Sequence, residues 1–242
     1  MKKAKKLISV FLVLVMSAMC FCSCSPNNND TPNGSYITVG ERELSKEYIG
    51  YFFYVAKLNM IKEAGFVTGE GGNATDEDVA SFWETTEIEG KSAVDVARDL
   101  ASDNAVIQTV QYLQAIKEGI KLTSEEEKEV EAQISGATQS SGGKEAFNAQ
   151  LSNMGCDADA YRQIITENKY VQKLYDKYDS DGKLSVSDEE LSFYASLAPE
   201  GTSPEIIFDS AKKDKFNKMS GEWEKEYEIV ISGKGMKEFV VN

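Results

Sequence analysis

Residues 90–178 read GKSAVDVARDLASDNAVIQTVQYLQAIKEGIKLTSEEEKEVEAQISGATQSSGGKEAFNAQLSNMGCDADAYRQIITENKYVQKLYDKY, and their reading decides the fold. Ser92 is placed to accept from an orphan backbone N–H, and Asp95 follows at the spacing of a capping box, so a helix starts here. Apolar residues recur at Val94, Ala97, Leu100, Ala101, Ala105, Val106, Val110, Leu113, Ile116 and Ile120. Val96, Ile107 and Tyr112 widen that stripe beyond one face, so the helix needs cover on more than one side. Gly119 ends it, and Leu122-Thr123-Ser124-Glu125-Glu126-Glu127 begins another, with Ser124 and Glu127 at capping-box spacing. A Gly/Ser/Thr-rich break is expected over Ser135–Gly143, then a short helix over Lys144–Met154 stopped by Gly155. Asp157 caps a helix whose Tyr161, Ile164, Ile165, Asn168, Val171, Leu174, Tyr175 and Tyr178 fall three or four apart, an amphipathic pattern. The flanking segments are expected to lie over this helical body as lids.

At the N-terminus, Lys2, Lys3, Lys5 and Lys6 precede an apolar run, Leu7–Met16, too short for a comfortable membrane span, which predicts a signal peptide over residues 1–23. Three cysteines crowd the expected cleavage region. Its pattern resembles a bacterial lipobox, with Cys24 behind the small Ser23 as the acylated residue and Cys20 as the alternative. Removal of residues 1–23 takes away four Lys and no acid, moving the formal charge from −14 to −18. So acidic a chain disfavours nucleic acid and a broad hold on anionic lipid. Residues 24–35 are polar, rich in turn formers and read as a flexible tether. Cys156 is the remaining thiol and reads as a small buried hydrophobe.

Tyr36-Ile37-Thr38-Val39 predicts a short strand with a turn at Gly40, and Ser45 caps a helix running to about Ala64. That helix carries four consecutive aromatics, Tyr51, Phe52, Phe53 and Tyr54, which wrap too much of its circumference for one stripe to bury them all. They either pack beneath neighbouring segments or form an apolar surface for unfolded polypeptides. Gly65–Asn73 predicts a mobile loop, and Thr75 caps a helix pointing Val79, Phe82 and Trp83 inward. Trp83 and Glu89-Gly90-Lys91 then lead into the long helix.

Asp179-Ser180-Asp181-Gly182 through Asp188 has EF-hand spacing, with Asp179, Asp181 and Asp188 as candidate calcium ligands. Lys177 stands where the first carboxylate belongs. The other reading is a turn at Asp181-Gly182 followed by a capping box from Ser187 to Glu190. A last helix is expected from Pro204 with an interruption at Ser220-Gly221. Tyr227–Ile231 and Phe239–Val241 are β-like around a turn at Gly233-Lys234-Gly235, and one of them is available to pair with Ile37.

The order strand, capped helix, long helix ending in EGIKLTSEEEKEVE, then FNAQLSNMG and YRQIITENKYVQKLYDKY resembles the N-terminal chaperone module of the SurA/PrsA extracytoplasmic foldases over Ile37–Tyr194. The resemblance implies a mainly α fold with a few short β-strands near the termini: a chaperone domain over 36–196, and over 197–242 a C-terminal helix and short strands packed on it. It further implies a lipid-anchored holdase for newly exported polypeptides on the extracytoplasmic face of the cell membrane, with Tyr51, Phe52, Phe53 and Tyr54 as candidate client contacts. Full-length PrsA-type foldases carry a parvulin isomerase domain between these flanks; here only Leu197–Ser203 joins them. The chain also contains no histidine, which parvulin sites characteristically use and which triads and imidazole zinc sites require. No cofactor and no catalytic residue are implied. The alternatives are a prolyl isomerase working through an unrecognised site and an assembly lipoprotein dedicated to one surface partner.

Overall fold

The computed structural model describes residues 35–67, 72–199 and 201–241. The signal peptide, Cys24, the tether up to residue 34 and the centre of the glycine loop lie outside the described residues. The elements run β1 (Ile37–Val39), β2 (Arg42–Leu44), α1 (Lys46–Glu63), α2 (Asp76–Thr85), β3 (Glu87–Ile88), β4 (Lys91–Ser92), α3 (Ala93–Lys117), α4 (Ser124–Ser140), α5 (Lys144–Asn153), α6 (Ala158–Ser180), α7 (Asp188–Leu197), α8 (Pro204–Glu224), β5 (Ile229–Ile231) and a single-turn α9 (Gly233–Met236). The protein is mainly helical, with short strands near its ends.

Helix α3 is the axis. Ser92 caps it as expected, its hydroxyl accepting from Asp95 N–H. Ala93, Ala97, Ala101 and Ala105 are fully buried four residues apart, a narrow seam that lets neighbours approach closely. Helices α1, α6, α8 and α2 and strand β1 all pack on α3. Two polar residues inside the stripe are bonded, Thr109 Oγ1 donating to Ala105 O at 2.8 Å and Gln111 Nε2 to Ser220 Oγ of α8 at 2.9 Å, whereas the buried Gln114 Oε1 accepts no hydrogen bond.

Strand β1 is the middle of a three-stranded antiparallel sheet, β2-β1-β5, with Ile37 opposite both Leu44 and Ile231. Tyr227–Ile231 therefore supplies the partner of Ile37. Phe239–Val241 forms no strand, because the Phe239 carbonyl accepts from Arg98 Nε at 2.8 Å and its ring packs on Tyr36 and Phe53. Gly40, at φ 59°, occupies the first centre of the two-residue β1–β2 loop, where a type II′ hairpin needs glycine. Glu89 and Gly90, at φ 53° and 82°, make the two-residue loop of a second hairpin, β3–β4. The sequence reading had only a junction there. On α1, Gly50 abuts the turn at Gly155 so closely that a Cβ would lie 1.9 Å from Gly155 O, so only glycine fits.

Three boundaries differ from expectation. The cap of α4 is Thr123 with Glu126, one residue before the predicted pair; in this register the Glu126 carboxylate also takes the Lys173 ammonium of α6 at 2.6 Å. The expected break at Ser135 begins only at Ser141, so α4 carries Gly136 in its interior. Helix α8 runs unbroken through Ser220-Gly221, because Ser220 is buried with its hydroxyl donating to Phe216 O and meeting Gln111. Gly233-Lys234-Gly235 is a helical turn capped by Ser232.

Candidate functional site

The four candidate contacts on α1 are not equivalent. Ser45 caps the helix by accepting from Tyr48 N–H, which fixes the register in which Tyr48 and Phe53 turn inward. Phe53 is buried, its ring centroid 5.4 Å from that of Phe239. Tyr51, Phe52 and Tyr54 are half-buried. Phe52 meets Tyr48 at 5.3 Å and Tyr51 edge-on at 5.6 Å; Tyr51 reaches Tyr161 of α6 at 6.4 Å, and Tyr161 meets Phe147 of α5 at 5.5 Å. The result is an aromatic belt across three helices, in which Tyr48 and Phe147 are buried and Tyr51, Phe52 and Tyr161 offer part of their surface outward. Leu58, one of the large apolar side chains left exposed, extends it along α1. Burial holds the Tyr51 hydroxyl above its ordinary pKa and the Lys57 ammonium below its own.

Beside the belt lies a buried charge pair that the sequence reading missed. Glu167 of α6, only 2% exposed, accepts from the Arg42 guanidinium of β2 and, at 2.6 Å, from the Tyr48 hydroxyl. Burial pushes the Tyr48 hydroxyl up to about 12, so it remains a donor. The Arg42 guanidinium also lies 4.8 Å from the Tyr112 ring centroid. Arg42, Tyr112, Asp159, Arg162, Thr166 and Glu167 line an opening of about 310 Å³. Its strongest charges are already matched, since Arg162 is paired with Glu131. The arrangement clasps β2 to α6. Arg42 and Glu167 stand 125 residues apart, and no local spacing signals their pairing.

The candidate calcium ligands are dispersed. Asp179 faces Lys212 at 2.6 Å, Asp181 is the C-cap of α6, and Asp188 opens α7 behind its cap Ser187. Gly182 at φ 73° and the Lys183 N–H bond to Tyr178 O at 2.9 Å complete a helix-ending turn, and the Lys183 ammonium sits 3.8 Å from the Tyr178 ring centroid. Among the described residues, no group of three or more His, Cys, Asp or Glu is placed to hold a metal ion. Cys156 is buried; burial, reinforced by Asp157, pushes its thiol up to about 11 and leaves it a poor nucleophile.

Among the described residues, the most exposed aromatic side chain lies elsewhere. Helix α7 buries no residue and rests on α8, where the Tyr194 hydroxyl donates to Asp214. On these two helices, Phe193 is 57%, Ile206 58% and Phe208 36% exposed. Their exposure follows from what lies beneath, which spacing in the sequence does not report. Among the described residues, no helix is long and apolar enough to cross a membrane. Compared with models of known protein families, with curated proteins and with solved structures, the chain matches none.

Proposed function

We propose that this protein is a lipid-anchored, extracytoplasmic holdase for exported polypeptides, built like the chaperone half of a SurA/PrsA-type foldase without its isomerase. The observation that carries this reading is the partly exposed aromatic face of α1, Tyr51, Phe52 and Tyr54 with the exposed Leu58 beyond them, on a strongly acidic helical body. Rings that are anchored on one side and open on the other offer apolar area without the ordering cost of a flexible surface. Extended segments of unfolded chains meet them with weak affinity and fast exchange. The net negative charge keeps the holder soluble and favours basic clients. Phe53 contributes from below, by fixing α1 against Phe239.

The test is light scattering of a chemically unfolded protein diluted into buffer with the full chain in nanodiscs of zwitterionic lipid, with prolyl isomerase activity read on the same sample. Suppressed aggregation without isomerase activity is expected, and Tyr54→Ser should weaken the suppression without lowering the melting temperature. No suppression by the wild-type chain overturns the reading, and isomerase activity replaces it with a foldase. Anchoring is tested separately: Cys24→Ala should release the chain from membranes, and retention would remove lipidation from the proposal.

A further inference from the structure

We infer that the tip of the α7–α8 hairpin is a second docking surface, one that takes a cationic, apolar segment of a polypeptide partner. Residues 184–211 contain six acids and no Lys or Arg. The exposed apolar side chains of the tip sit among these acids. Glu189 precedes Phe193 by one helical turn, Asp209 follows Ile206 by three residues, and Glu205 precedes Phe208 by three, whereas Glu190 is engaged by the Ser187 N–H and by Lys215 at 4.0 Å. Residues three or four apart share a helix surface, so each apolar side chain has a carboxylate as its neighbour. Over the first turns of α8, every residue from Pro204 to Asp209 except Ile207 is exposed.

The surface already shows how it treats a cation. Lys212, the first base after this stretch, lies 4.6 Å from the Phe208 ring centroid while pairing with Asp179 at 2.6 Å. A partner segment alternating apolar and basic residues would repeat that contact, seating its apolar side chains on Phe193 and Ile206 and its ammonium groups on the carboxylates. A second copy of this chain would set six acids against six, and an anionic lipid surface would meet the same repulsion, so neither is the occupant. This surface does not depend on the aromatic belt of α1.

The experiment is fluorescence anisotropy with the full chain in zwitterionic nanodiscs and three labelled ten-residue peptides, alternating Leu/Lys, Leu/Glu and Ser/Lys. Only the Leu/Lys peptide should bind, and binding should weaken as salt is raised. Phe193→Ser with Ile206→Ser should weaken it roughly ten-fold or more, by loss of two apolar contacts. Glu189→Lys with Asp209→Lys should weaken it comparably, and melting temperature confirms that each variant is folded. Tyr54→Ser should leave it unchanged, which separates this surface from the holdase belt. Equal binding of the Leu/Glu peptide, undiminished Leu/Lys binding in either folded double variant, or self-association lost in the Phe193/Ile206 variant would each overturn the inference.

Discussion

The Arg42–Glu167 clasp and the α7–α8 tip handle carboxylates in opposite ways. In the clasp a single carboxylate, 2% exposed, is met by a guanidinium and a phenol hydroxyl. At the tip Asp188, Glu189, Glu190, Glu205 and Asp209 stand in a stretch without one Lys or Arg, with Lys215 near Glu190 alone, at 4.0 Å. Burial makes the difference: an ion taken out of water must be matched by partners, whereas an exposed one is matched by solvent. The clasp therefore belongs to stability, and the tip, whose carboxylates surround exposed rings, is available for binding. Their responses to mutation should separate accordingly.

The largest effect is expected in the clasp. Arg42→Ala leaves Glu167 buried with only the Tyr48 hydroxyl to satisfy it, and should cost about 3 kcal/mol or more in urea unfolding followed by circular dichroism. Replacing Glu167 by Leu in the same background removes the stranded charge and should recover most of that loss. A loss below about 1 kcal/mol for Arg42→Ala would place the pair with ordinary surface ion pairs and erase the contrast.

An intermediate effect is expected at Glu118, whose environment lies between the two. The Lys177 ammonium and, at 2.6 Å, the Tyr178 hydroxyl hold its carboxyl down to about 2, against an ordinary value of 4.5. A depressed carboxyl contributes stability that is fully present above its unfolded value and is lost as pH falls through the folded one. The loss should therefore develop between about pH 4.5 and 2. Unfolding free energies measured down that range should fall less steeply for Glu118→Gln than for the wild type; parallel curves would show that the contact is screened away by solvent.

The sequence exposed what is local and hid what is not. The caps at Ser45, Ser92, Asp157 and Ser187 were legible because a side chain and the N–H it accepts from lie within one turn. Helix α6 was legible because one face is buried and the other wet. Gly136 and Gly221 were misread as breaks because their propensity is outweighed by the helices around them. Strand β1 and its turn at Gly40 were legible, but β2 and the β3–β4 hairpin escaped notice because strands of two or three residues are too short to show alternation. Most of what concerns function was hidden for a third reason. Four adjacent aromatics do not reveal which one turns inward, and Arg42 carries no sign of Glu167.

The smallest effect on stability is expected where the effect on binding is largest. Phe193 is 57% exposed on a helix that buries no residue, so Phe193→Ser removes little area that folding had taken from water. Its cost should stay within about 0.5 kcal/mol, as for most surface changes. The same substitution at Phe53, packed against Phe239, opens a cavity in the core and should cost about 3 kcal/mol or more. Urea unfolding of the two variants side by side compares one residue type in the two regions. A Phe193→Ser loss close to that of Phe53→Ser would mean that the α7–α8 tip is covered in solution, and its rings would then be core rather than docking surface.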